Sequence, residues 1–285
     1  MQKIWVCGAR GQIGQAVNDV VDKLEFEMLD TDVDDLDVTD TDEVLRFGEM
    51  NRPDIIINCS GMTDISSCEE NPSQAFKVNA LGARNLAIVA AKMQAKMVQL
   101  STDDVFDGKS TEPYTEFDIT NPGTVYGKSK LAGENYVKEF TTKHFIVRST
   151  WVYGKGQNFI NGFLKKVGAG EQLSIASDQF GSPTSANELA RFLLHLVHTS
   201  EYGTYHATNK GVCSRYAFAQ EILKMTGKTA SMQPVPTVMS DFSKVRPAYA
   251  VLDNFIMSMV PIYDFPDWQD SLREYLEERG LYHAE

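Results

Sequence analysis

Hydrophobic and polar positions along the first half of the chain alternate between two patterns. The apolar run KIWVC at residues 3–7 ends in a glycine and predicts a buried strand. Over residues 13–24 the apolar positions Ile13, Ala16, Val17, Val20, Val21 and Leu24 fall at helical spacing. The pairing then repeats. A weaker strand at 26–29 precedes a helix at 41–50, and the strong strand DIIINC at 54–59 precedes a long helix at 71–93, with Pro72 early in it. A strand at 96–101, a helix at 125–140 and a strand at 144–149 follow. Strands alternating with helices imply βαβ units, so the expected class is α/β with a doubly wound parallel sheet.

After residue 150 the rhythm breaks at SDQFGSPTSANE. A helix at 187–198, a strand near 204–207 and helices at 215–225 and 268–278 are expected, with the loop-rich stretch MQPVPTVMSDFSKVRPAYAVLDN between the last two. The expected organisation is a nucleotide-binding domain over 1–150 and a smaller, mainly substrate-binding α/β domain over 151–285. Helix 187–198 is expected to pack back on the first domain, and Trp268 with its helix to serve packing.

Composition narrows the class. The 285 residues include 39 acids against 27 Lys and Arg, a net charge of −12 that argues against nucleic acid as partner. No stretch approaches the roughly 18 apolar residues of a membrane span, and MQKIWVCGARGQ lacks the apolar segment of a signal peptide. Cys7, Cys59, Cys68 and Cys213 form no CxxC pair. Reduced, structural thiols and a cytoplasmic location are the expectation.

Candidate chemistry begins at the first strand–helix junction. VCGARGQIGQAV spaces Gly8, Gly11 and Gly14 as GxxGxxG. Gly8 permits the tight turn, Gly11 lets a pyrophosphate approach the backbone, and Gly14 allows close helix–sheet packing. An acid should follow at the end of the second strand to hold the adenosine ribose. Asp32 stands near the expected spacing of roughly 20 residues, with Asp30 as competitor. A carboxylate there leans towards NAD over NADP. The Asp30–Asp32–Asp34 pattern fails as a calcium loop, because Asp35 and Thr41 stand where Gly and Glu are needed.

TVYGKSKLAGE places Tyr126 and Lys130 at i and i+4, on one helical face. A lysine cation favours the phenolate and brings a tyrosine within range of proton transfer. Thr102, at the end of strand 96–101, falls at the carboxyl edge of the sheet, where ligands of open α/β folds bind. Its hydroxyl can donate to the oxygen that Tyr126 protonates. Arg148, at another strand end, could simply pair with a carboxylate.

These residues together resemble an extended short-chain dehydrogenase/reductase. STDDVFDG, VYGKSKLAGE, VRSTWVYGKGQNF, SDQFGSPT, GTYHATN, RPAYAVLDN and PDWQDSL match, in order, blocks of the dTDP-4-dehydrorhamnose reductase family across nearly the whole chain. The resemblance implies a Rossmann-type fold and NADPH- or NADH-dependent reduction of the C4 keto group of a nucleotide-linked 4-keto-6-deoxyhexose, dTDP-4-dehydro-L-rhamnose first. It implies Thr102, Tyr126 and Lys130 as catalytic residues. It implies Gly11, Gln12 and Ile13 at the pyrophosphate, Asp32 at the ribose, and Asp37 and Val38 at the adenine. Gly61, Met62, Thr63 and Leu100 would also contact the cofactor. Asp103, Trp151 and Arg246 would contact substrate, with Asp104 beside them, the last standing where the family has an aromatic residue. Met62 also replaces an aromatic. One magnesium-ligand position of some members falls on Ala16, so no metal is expected, and the chain is expected as a monomer or homodimer. The alternatives are reduction of another nucleotide 4-ketosugar and a non-catalytic regulatory subunit of the same fold. A hydrolase reading of Ser101 lacks a GxSxG elbow. Zinc at His195 and His198 lacks further ligands.

Overall fold

The computed structural model describes residues 1–239 and 248–283. The first half runs β1 (Gln2–Cys7), α1 (Gln12–Val20), β2 (Phe26–Thr31), α2 (Thr41–Asn51), β3 (Ile55–Asn58), α3 (Ile65–Glu70), α4 (Pro72–Phe76), a π-helical segment (Lys77–Gly82), α5 (Ala83–Met93), β4 (Lys96–Thr102), α6 (Val125–Phe140) and β5 (His144–Ser149). There follow β6 (Val152–Tyr153), α7 (Phe159–Gly168), β7 (Leu173–Ala176), β8 (Phe180–Gly181), β9 (Thr184–Ser185), α8 (Ala186–His198) and β10 (Gly203–His206). The chain continues with β11 (Cys213–Ser214), α9 (Arg215–Met225), β12 (Met232–Val235), α10 (Phe255–Met259) and α11 (Trp268–Glu278).

Six strands form one parallel sheet in the order β10-β5-β4-β3-β1-β2. Its period of two sorts the apolar residues onto two faces. Ile4, Val6, Ile57 and Val147 pack under α1 and α8. Trp5, Cys7, Ile56 and Ile146 pack with side chains of α2, α5 and α6. This is the doubly wound Rossmann-type sheet. Strand order reverses between β1 and β3, and ligands of such sheets bind at that switch point. Helix α8 brings Leu189, Phe192, Leu193 and Leu196 onto the α1 face. A separate cluster gathers Trp151, Phe163, Ile175, Phe218, Trp268 and Leu272 from the later elements. Among the described residues no helix is long and apolar enough to cross a membrane.

Three departures from the sequence pattern have local causes. Helix α1 stops at Val20, and Leu24 is left exposed beyond it. Helix 71–93 is three segments, because residues 77–82 widen into a π turn. That turn sets Asn79 against the loop after β3: its Oδ1 accepts from Met62 N (2.8 Å), and its Nδ2 donates to Met62 O (2.9 Å) and Ser129 Oγ (2.9 Å). π turns recur where a helix must deliver a side chain to a site. Finally, α3, α7, α10 and the short strands β6 to β9, β11 and β12 fall where the pattern predicts no element; α3 is only six residues long and starts at an Asp64 cap that accepts from Ser67 N.

Candidate active site

The carboxyl ends of β1, β3, β4 and β5 open into a cleft of about 730 Å³, whose far wall comes from residues after 150. The turn after β1 forms its floor. Gly8 has φ +75°, and a Cβ there would fall 2.8 Å from Ser60 N. A Cβ on Gly14 would run into the Gly8 carbonyl. Only glycine lets α1 start this close to β3. Gly11, Gln12 and Ile13 line the cleft at the open N-terminus of α1. Buried Gln12 Oε1 has no hydrogen-bond partner among the described residues.

At the outer edge, the Asp32 carboxylate accepts from Arg10 N (2.8 Å) and Val33 N (2.9 Å). The exposed Arg10 guanidinium bonds Asp34 (3.1 Å) and Asp35 (2.8 Å) and stands 4.0 Å from Asp32. Asp37 closes its own turn on Thr39 N, and Val38 fills the space a Cβ on Gly82 would take. None of Asp32, Asp37 and Val38 lines the cleft itself.

Strand β4 delivers Leu100, Ser101 and Thr102 to the cleft, with Asp103 next. The Thr102 hydroxyl donates to Asp103 Oδ1 (2.9 Å) and accepts from Asp104 N (3.2 Å). Asp103 Oδ2 accepts from Thr150 Oγ1 (2.9 Å). Helix α6 starts at a Thr124 cap that accepts from Gly127 N (3.0 Å), which aims Tyr126 and Lys130 at the same cleft. Both are buried, at 8% and 5% exposure. Burial pulls the Lys130 ammonium down to about 8, and Glu134 opposes that shift. After β3, Gly61 and Thr63 line the cleft, whereas Met62 is turned to a small apolar cluster with Ile65, Cys68 and Ala75.

Across the cleft, Trp151 adopts φ +47°, a left-handed conformation costly for an aromatic residue. Its ring lies under the Arg215 guanidinium at 3.4 Å, and Phe159 lies 4.8 Å from that guanidinium. Gly181 backs the indole so closely that a Cβ would fall 2.6 Å from it. The result is a cationic, aromatic wall suited to an anionic or planar ligand.

Two further expected site residues lie off the cleft lining. Asp104 is 1% exposed and absent from the cleft lining, because the short helical turn at 103–105 buries it behind Thr102. The Met62 side chain packs instead against the cluster of Ile65, Cys68, Ala75 and Tyr126, while Asn79 bonds only its backbone. Arg246 lies outside the described residues. Sequence reasoning missed Asn79, Arg215 and Glu134. The first depends on a π turn and the second on a fold contact, and neither has a local signal. Glu134 did have one, its place one turn beyond Lys130. Arg148 does pair with a carboxylate, that of Glu134 (2.8 Å). No group of three or more potential metal ligands occurs among the described residues.

Comparisons with known proteins give the family and the fold of the chain. The profile of the RmlD substrate binding domain matches residues 1–280. The spore coat polysaccharide biosynthesis protein SpsK of Bacillus subtilis is 35% identical over 281 residues, 98% of this chain and 99% of its own. A crystal structure of a dTDP-4-dehydrorhamnose reductase from Clostridium acetobutylicum superposes with TM-score 0.95 at 40% identity, covering 98% of this chain and 100% of that one. The Bacillus anthracis reductase, in complex with NADP, superposes with TM-score 0.94 at 35% identity and the same coverage. By sequence and fold together, the chain belongs to the dTDP-4-dehydrorhamnose reductase family.

Proposed function

We propose that the chain is an NAD(P)H-dependent reductase of the C4 keto group of a nucleotide-linked 4-keto-6-deoxyhexose, dTDP-4-dehydro-L-rhamnose yielding dTDP-L-rhamnose for surface polysaccharide. One observation carries the reading. The N-terminus of α1, Leu100, Thr102, Tyr126 and Lys130 all open on one cleft, opposite Trp151 and Arg215.

The site suits a dinucleotide. The glycine turn leaves the N–H groups at the start of α1 free to take a pyrophosphate. Asp32 holds the adenosine ribose, with Asp37 and Val38 beside the adenine. When bound, the cofactor supplies hydride. The chain's residues do the rest. Tyr126 gives its phenolic proton to the ketone oxygen as that oxygen gains charge. Lys130 keeps a cation beside the phenol and makes that transfer cheaper. Thr102 adds a hydrogen bond to the same oxygen, for which its proton must leave Asp103, whose carboxylate is then available to a sugar hydroxyl. Trp151 and Arg215 receive the sugar and its diphosphate. The division at about residue 150 is functional and not a single cut of the fold, since α8 and β10 return to the first domain's sheet: chemistry and cofactor lie before it, substrate recognition largely after it. The four free thiols suit a cytoplasmic location.

The test is purified protein with dTDP-4-dehydrorhamnose and NADPH or NADH. Cofactor oxidation that Tyr126→Phe abolishes supports the reading. Oxidation with other nucleotide 4-ketosugars but not this one keeps the chemistry and changes the hexose. No oxidation with any of them rejects the reductase assignment.

A further inference from the structure

Behind the catalytic residues runs a buried ionic chain that the reaction as described does not use. Glu134 follows Tyr126 and Lys130 at i+4 intervals on α6 and is 0% exposed. Its Oε1 accepts from Ser101 Oγ (2.5 Å) and Arg148 Nε (2.9 Å), and its Oε2 from Arg148 Nη2 (2.8 Å). Each donor is part of the cleft's frame. Ser101 directly precedes Thr102 on β4, and Arg148 is its register partner on β5. Arg148 in turn reaches His206 Nε2 (3.5 Å). His206 Nδ1 faces two carbonyls, Tyr114 O (2.9 Å) and Asp253 O (3.1 Å). Carbonyls only accept, so Nδ1 carries the proton and Nε2 accepts from Arg148. The imidazole is therefore neutral, as its burial and the Arg148 charge also require, pulling it down to about 3.

The charges in this chain are ordered. His206 is neutral, Arg148 positive, and Glu134 negative at the end nearest Lys130. Burial alone would raise the Glu134 carboxyl, but the Arg148 and Ser101 bonds and the Arg148 charge outweigh it, so the group stays ionised. Cys59 after β3 also acts on Lys130, and the titratable groups that share its cleft are Tyr126 on its own helix, Asp64 ahead of α3 and Asp103 after β4. Lys138, one turn further along α6, lies 3.7 Å from Glu134 Oε2. The Cys59 thiol is pushed up to about 12 by burial and is neutral. A buried ion pair is a poor source of stability, and apolar residues of similar volume would fill this space as well.

We propose that Glu134 is a positioning residue of the reductase site: fixed by Arg148 and Ser101, it sets a buried negative charge one helical turn from Lys130 and favours the ammonium form of that residue on the face it shares with Tyr126. The proposal rests on the roles assigned to Tyr126 and Lys130 above. It explains why a full charge sits where packing alone would serve. It also ties the helix of Tyr126 and Lys130 to the strand end of Thr102 through one carboxylate.

The test follows the Lys130 ammonium directly, by carbon NMR titration of the full chain labelled at lysine Cε, with Lys130 assigned by its loss in Lys130→Met. In Glu134→Gln the Lys130 midpoint is expected to move to lower pH by about one unit or more. The alkaline limb of kcat/KM moves with it, whereas a purely structural role would lower activity and melting temperature and leave the limb in place. Glu134→Gln strands Arg148 opposite a neutral amide, so a second variant, Glu134→Gln with Arg148→Met, removes both charges and is expected to show a smaller displacement in the same direction, because loss of the Arg148 cation works against loss of the carboxylate. Glu134→Asp, which keeps the charge, is expected to return the midpoint towards the wild-type value. A midpoint unchanged in both Gln variants overturns the proposal. A midpoint that moves in a protein that reduces no nucleotide ketosugar overturns the reductase reading and leaves the Glu134–Lys130 link standing.

Discussion

The two walls of the cleft are made of different materials. The sheet-side wall is backbone turns and buried, mutually bonded polar groups: Thr102 on Asp103, Asp103 on Thr150, and Glu134 on Ser101 and Arg148. The opposite wall is aromatic surface with one cation laid over it, Arg215 on Trp151 and Phe159. A proton-transfer site needs fixed donors and fixed charge, because misplacing a reacting group by an ångström is costly. A recognition surface needs area and one well-placed charge. The sheet-side wall therefore sits at the ends of long parallel strands, and the other is assembled from two-residue strands and the first residue of α9.

Variants that act on one wall and spare the other sharpen this contrast. The largest effect is expected from Tyr126→Phe, which removes the proton donor and should lower kcat by about 10²–10⁴-fold with little change in substrate KM; steady-state kinetics decide it. Arg215→Ala should show the converse, a KM for the nucleotide sugar raised about 10–100-fold with kcat largely kept, as loss of a charge-assisted contact implies. A kcat loss equal to that of Tyr126→Phe would erase the distinction between the walls.

The sheet-side wall should also carry a stability cost. Lys130 holds its proton less tightly in the folded protein than in the unfolded chain, so it opposes folding at neutral pH, and that cost is relieved as pH rises from about 8 through the ordinary lysine range. Lys130→Met is thus expected to stabilise the inactive protein by about 1–3 kcal/mol at pH 7, measured by urea unfolding. His206 acts at the other end of the scale. Its folded pKa of about 3 lies below the unfolded value, so its contribution is present above about pH 6.5 and is lost as pH falls towards 3. Unfolding at pH 6.5 and pH 4.5 should differ by about 2 kcal/mol more in the wild type than in His206→Asn. The smallest effect lies at the cleft's outer edge. On the proposed reading Asp32, at the ribose, disfavours a 2′-phosphate, and Arg10, divided among three aspartates, moderates that preference. Arg10→Ala should shift the NADPH/NADH ratio of kcat/KM towards NADH by only about fivefold, the size of an exposed charge contact.

The same contrast explains what the sequence disclosed. Parallel strands buried on both faces write near-continuous apolar runs such as DIIINC, and glycine turns and YxxxK have fixed spacing, so the sheet and most of its wall were legible. Leu100, Thr102, Tyr126 and Lys130 reach the cleft from positions read off the chain. The π turn that carries Asn79 was not legible, since its residues keep helical composition. Asp104 and Met62 lie off the cleft because of a three-residue helical turn and a small apolar cluster, neither of which leaves a periodic trace. The far wall was least legible. Its strands are two residues long, too short for any periodicity, and Arg215 meets Trp151 only through the fold.

The most direct test of the account is transfer of label. With NADPH or NADH carrying deuterium at the transferable position of the nicotinamide, and dTDP-4-dehydrorhamnose as acceptor, the product should be dTDP-L-rhamnose with deuterium at C4 of the sugar. Tyr126→Phe should bind cofactor and transfer almost none. A wild-type protein that binds cofactor and nucleotide sugar yet leaves C4 unlabelled would contradict it.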